Sequence, residues 1–97
     1  MNEETAKVLQ DLKNVGKATL ADLNLLGIDS VKMLACQDPT DLFHQMEQKS
    51  GKRQDPCVWD VFAAIIHEAK TGERTAWWEW TAQRKALEKA GKLVHRI

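Results

Sequence analysis

The run Leu12-Lys13-Asn14-Val15-Gly16-Lys17-Ala18-Thr19-Leu20-Ala21-Asp22-Leu23 constrains this chain more than any other part of it. Two turn-forming residues, Asn14 and Gly16, flank one apolar residue, Val15, and both sides carry leucines at helical spacing. Asn accepts a positive φ more readily than most other non-glycine residues. Val15 is then free to anchor the bend in a core. The chain before the bend (Val8, Leu9, Leu12) and after it (Leu20, Leu23, Leu26) reads as two short helices packed through their apolar sides.

This is the pattern of a helix-hairpin-helix unit. The first helix is expected from about Glu3 to Leu12, with Glu3 and Glu4 at its positive end. Thr19 is the expected N-cap of the second helix, and Gly27 its stop. Such a bend turns unpaired backbone N–H groups outward at a helix N-terminus, which suits an anion and above all a phosphate. The candidate nucleic-acid-binding residues are therefore Lys13, Asn14, Gly16, Lys17, Ala18 and Thr19. Phosphate contact of this kind carries no base preference. The same bend also serves as a plain connection between packed helices, and Asp11 and Asp22 lie beside it.

Helix punctuation continues along the chain. Asp29 or Ser30 caps a short third helix through Val31 and Leu34, and Asp38-Pro39 opens a fourth that runs to Gly51. Asp55-Pro56 opens a fifth with Val58, Trp59, Val61, Phe62, Ile65, Ile66 and Ala69, ending at Gly72. Its apolar residues cover more than half the circumference, which marks it as the central helix. A last helix is expected over Ala82 to Ala90, stopped by Gly91, with residues 92–97 frayed. The expected fold is all-α: a compact bundle of five or six short helices containing a helix-hairpin-helix (SAM-like) unit. One domain spans 1–97, with the hairpin layer in 1–50 and the central helix plus a Trp-rich closing segment in 51–91, because neither half alone can bury its apolar face.

Charge limits the class of partner. Lys+Arg and Asp+Glu stand at 14 each, with a net of −2 over residues 1–52 and +2 over 53–97. Strong nonspecific DNA binders carry a larger excess, so binding to DNA is expected to be weak or assisted. No apolar run approaches the ~18 residues of a membrane span. The acidic start Met-Asn-Glu-Glu is unlike a signal peptide, and two cysteines make no disulfide framework, so a cytoplasmic location with reduced thiols is expected.

Three tryptophans, Trp77, Trp78 and Trp80, fall within four residues. On a helix Trp77 and Trp80 share a side and are expected to pack on Trp59 and Phe62. Trp78 projects about 100° away. An exposed Trp78, with Arg74, Arg84 and Lys85 nearby, offers base stacking or a protein contact. Cys36, His44, Cys57 and His67 have ligand chemistry but no local chelating spacing, so no metal is expected. Cys57 sits just inside a helix N-terminus, where the dipole can lower a thiol pKa, although packing is the commoner role. His44 and His95 read as surface residues, and His67 with Glu68 as the polar edge of the fifth helix. No nucleophile-plus-base set, Walker loop or carboxylate pair stands out, so no catalytic residues and no cofactor are expected.

These residues resemble a known family. Leu12 through Thr19, Leu25-Leu26-Gly27-Ile28, Asp38-Pro39-Thr40-Asp41-Leu42, Asp55-Pro56-Cys57-Val58-Trp59-Asp60-Val61-Phe62 and Trp77-Trp78-Glu79-Trp80-Thr81 are similar to the bacterial pathogenicity-locus family. Its members carry labels such as mitomycin-resistance or helix-hairpin-helix domain protein. The resemblance spans about residues 5–85. It implies a small α-helical domain, and the mitomycin label implies protection of DNA from crosslinking. Only the hairpin role transfers, onto Asn14 through Thr19. The function expected is a non-enzymatic DNA-associated accessory protein. The alternative is a protein–protein adaptor that uses exposed tryptophans or the hairpin.

Overall fold

The computed structural model describes residues 8–95. Among them are five α-helices, two 3-10 turns and no strand. The helices are α1 (Lys17–Leu25), α2 (Val31–Ala35), α3 (Pro39–Ser50), α4 (Cys57–Thr71) and α5 (Thr81–Lys89). The 3-10 turns are Leu9–Asp11, before the bend that leads into α1, and Trp77–Trp80, which runs directly into α5. The first helix expected at 3–12 falls mostly outside the described residues, and its described part is the Leu9–Asp11 turn. Only the second member of the expected helix pair is thus an α-helix here.

The punctuation acts where the sequence places it. Ser30 Oγ accepts from the Met33 N–H at 3.0 Å and starts α2. Asp38 Oδ2 accepts from the Thr40 and Asp41 N–H groups at 3.1 Å each and starts α3, with Pro39 in its first turn. Asp55 Oδ1 accepts from the Cys57 N–H at 2.9 Å and starts α4. Both long helices end on a glycine in the left-handed region, Gly51 at φ +71° and Gly72 at φ +82°. The expected cap of α1 is corrected. Gly16 takes that position, and Thr19 lies inside the helix.

Helix α4 is the centre of the molecule. Trp59, Phe62, Ala63, Ala64, Ile65 and Ile66 are all buried, and α4 packs against α2, α3, the second 3-10 turn and α5. One apolar cluster runs from Leu9 and Leu12 through Leu23, Leu34, Phe43 and Phe62 to Leu93. Helix α1 packs on α3.

Three buried carboxylates join this core to segments with little apolar surface of their own. Asp60 accepts from Thr81 Oγ1 at 2.7 Å and pairs with Arg84 Nε at 3.0 Å, which fixes α5 on α4. Glu68 accepts the Lys13 N–H at 2.9 Å and faces Arg74 Nε at 3.6 Å. Glu47 accepts the Gln54 N–H at 2.9 Å and also meets His95 Nδ1.

The chain end differs from expectation. Leu93 is buried in the apolar cluster, and the Lys92 N–H donates to the Leu87 carbonyl at 2.9 Å. His44 is buried, not on the surface, and its Nε2 lies 2.9 Å from the Val94 carbonyl. A carbonyl only accepts, so Nε2 carries the hydrogen. The chain through residue 95 is therefore tied down, and residues 96–97 lie outside the described part.

Arg84→Met leaves the buried Asp60 charge without its cation and is expected to lower unfolding free energy by about 3 kcal/mol in urea titration. Adding Asp60→Leu is expected to recover most of that loss, since the unpaired charge is then gone. Leu93→Ala is expected to cost about 2 kcal/mol, as a core leucine does. A frayed tail would instead give a change within about 0.5 kcal/mol.

Candidate functional site

The bend before α1 is pinned from behind. Leu12 is buried, the Lys13 N–H is taken by Glu68, and Asn14 Nδ2 donates to the Thr75 carbonyl at 2.9 Å. Asn14 has φ +76°, the one non-glycine residue with positive φ among those described. Val15 packs against the core from a half-buried position. The Asn14 side chain is thus spent inside the protein, holding the bend to the segment after α4.

Gly16 has φ −98° and ψ −168°, extended backbone open to any residue, and an added Cβ would meet nothing within 4 Å. As the cap of α1 it brings no side chain. Its carbonyl accepts from the Leu20 N–H at 2.9 Å, while the N–H groups of Lys17, Ala18 and Thr19 have no acceptor among the described residues. Gly16, Lys17 and Ala18 are exposed, as is Lys13 across the bend. In α2, α3 and α4 an oxygen of Ser30, Asp38 or Asp55 already fills the equivalent place.

Beside this helix end lies a cleft of about 210 Å³. Thr19 and Asp22 of α1 form one wall, Cys57, Val58, Val61 and Phe62 of α4 the other, and Trp77 closes one side. Asp22 is partly buried there, and desolvation raises its carboxyl above the usual 3.8. The dipole does not lower the Cys57 pKa. Burial first, and then the Asp55 and Asp60 carboxylates, push the thiol up, so it is a poor nucleophile.

The tryptophans divide by position in their turn. Trp80 packs on the core, donates Nε1–H to Thr75 Oγ1 at 2.9 Å and lies 5.2 Å from the His67 ring. Trp77 lines the cleft with Phe62, and Trp78 stands edge-on to it at 5.6 Å and is 64% exposed. Glu79 accepts the Ala76 N–H at 2.8 Å and starts the turn.

The three residues expected around Trp78 separate. Arg84 is consumed by Asp60 and Glu88, and its side chain is only 11% exposed. Arg74 turns to the hairpin, near Glu68 and 3.5 Å from the Asp11 carbonyl. Lys85 is exposed on α5. Glu68 is not a polar edge but a buried acceptor, while His67 pairs with Glu73 at 2.6 Å. No group of three or more His, Cys, Asp or Glu among the described residues is placed to hold a metal ion. No helix among them is long and apolar enough to cross a membrane.

The sequence reading missed the cleft. Thr19 and Asp22, and likewise Val58 and Val61, stand three apart on their helices. That spacing puts each pair on one face. What joins the two faces is the position of α1 beside α4, which no local pattern encodes.

The sequence matches the family described as Pathogenicity locus over residues 2–86. The Mitomycin resistance protein McrB of Streptomyces lavendulae is 30% identical over 87 residues, covering 90% of this chain and 83% of that protein. No solved structure matches. On these two matches, the chain belongs to the pathogenicity-locus family.

Proposed function

We propose that this protein is a non-enzymatic nucleic-acid-binding accessory protein that holds a backbone phosphate at the start of α1. The observation that carries the reading is the uncapped helix end. The amides of Lys17, Ala18 and Thr19 have no acceptor among the described residues, and Lys13 and Lys17 flank them. Unfilled N–H groups and the positive end of the helix dipole both favour an anion. The rigid bend behind them fixes their direction before any ligand arrives. The name of the Streptomyces relative refers to mitomycin resistance, and attachment to DNA is compatible with that.

A second reading has one observation in its favour. Trp78 is 64% exposed, and a tryptophan presented this way suits a protein hot spot. On that reading the protein is an adaptor and phosphate is irrelevant.

Fluorescence anisotropy with single- and double-stranded DNA across salt separates the two. Phosphate binding through two or three contacts is expected to weaken about ten- to forty-fold from 50 to 200 mM salt. The decisive variant is Gly16→Asp. Its backbone angles and free Cβ space admit a side chain. Aspartate at an N-cap accepts the helix amides itself, so stability is expected to hold or rise by a few tenths of a kcal/mol. DNA binding is expected to fall at least tenfold. Unchanged binding in a variant of undiminished stability removes α1 from the interface.

A further inference from the structure

We propose that the cleft between α1 and α4 receives one unpaired nucleobase, and that Asp22 makes guanine the preferred base. The inference rests on the nucleic-acid reading above and adds a base preference that phosphate contact cannot supply. The cleft measures about 210 Å³, below the roughly 300–1,000 Å³ of drug-sized sites, which suits a single flat ring system. Val58, Val61 and Phe62 give it apolar walls, and Trp77 adds an indole surface. Aromatic stacking of this kind retains a base out of its stack.

Thr19 is common to the cleft and to the proposed phosphate contact. It lines the cleft, and its N–H is one of the unfilled amides of α1. A strand held by its phosphate at that helix end has a neighbouring base within reach of the opening. Double-stranded DNA has no free base to offer, so the preferred substrate is single-stranded or locally unpaired.

Asp22 is the charged group that the α1 wall brings to the cleft, beside the Thr19 hydroxyl, and no hydrogen bond to its carboxylate oxygens is formed within the described residues. An ionised carboxylate only accepts. Guanine presents two adjacent donors, N1–H and the N2 amino group, which a carboxylate accepts together as a charge-assisted pair. Cytosine and adenine present an amino donor beside a ring acceptor. Thymine presents one N–H between two carbonyl oxygens, which face the carboxylate unfavourably. The expected order is guanine first and thymine last.

The test uses the full chain and two fluorescein-labelled oligonucleotides at low salt, a thymidine nonamer and the same nonamer with one central guanine. The guanine-containing strand is expected to bind about tenfold more tightly, as one bidentate base contact gives. Asp22→Asn removes a charge and presents a donor beside an acceptor. It is expected to bring the ratio of the two affinities close to one without weakening the thymidine strand. Trp77→Phe keeps an aromatic wall and is expected to reduce the tryptophan quenching that the guanine strand produces.

Equal affinities for the two strands in the unmodified protein overturn the cleft assignment. The phosphate reading then stands or falls separately, on salt dependence and Gly16→Asp. A preference that survives Asp22→Asn also overturns it, because the selecting group then lies elsewhere. So does a cleft that answers to methylguanidinium and to neither oligonucleotide, which would make it a cage for a cationic side chain.

Discussion

Three buried carboxylates organise what the apolar core cannot reach. Glu47 and Asp60 are fully buried, and Glu68 is nearly so. Each lies on one of the two long helices, and each fastens a segment distant in sequence: the chain end, α5 and the hairpin. A buried charge is costly unless it is paired and hydrogen-bonded, so these residues tolerate little displacement of their partners. Burial of leucines would allow α5 or the hairpin to slide by a residue. A carboxylate that needs a particular N–H or guanidinium does not.

That constraint explains the shape of the candidate site. The bend carries little apolar surface beyond Leu12 and the half-buried Val15, and it is held by the Lys13 N–H on Glu68 of α4 and by Asn14 on the Thr75 carbonyl just after α4. Both donors point inward. With the bend fixed on that side, the next amides in the chain emerge on the opposite side, at the start of α1. The same placement leaves the gap against α4 that Trp77 closes. The bend and the α1 wall of the cleft share that attachment.

Most of the helices were legible because their boundaries are local. Ser30, Asp38-Pro39, Asp55, Gly51 and Gly72 each act on backbone groups within four residues, and the apolar spacing of α4 announces its centrality. The cap of α1 was misread since Thr19 is a good capping residue in the abstract, while the actual start depends on where Asn14 turns the chain. The buried histidine and glutamates escaped for a related reason. His44, Glu47, Asp60 and Glu68 look like the polar positions of amphipathic helices, and their partners lie from 7 to 55 residues away. Beyond the Gly91 stop the sequence offers no helical pattern and suggests fraying, whereas Leu93 and the Val94 carbonyl are held by core residues that periodicity cannot connect to them. Of the candidate site, the bend and the exposure of Trp78 were visible in advance. The cleft was not, because it belongs to the packing of two helices and to neither one.

The even balance of charge sets what kind of recognition such a surface can support. With 14 basic and 14 acidic side chains, and Arg84 spent in an internal pair, long-range attraction to a polyanion is weak. Affinity must then come from short-range contacts whose geometry is fixed beforehand. Amides at a pinned helix end are of that type, since their directions are set by the backbone and cost little entropy on binding. They discriminate phosphate from water but not one base from another. On the proposed reading the cleft with the Asp22 carboxylate would supply the missing half, because a ring that fails to satisfy that carboxylate leaves it desolvated and unpaired. If the proposed nucleic-acid reading holds, weak electrostatics and a demanding pocket together favour selective contact with exposed bases over indiscriminate coating of a duplex.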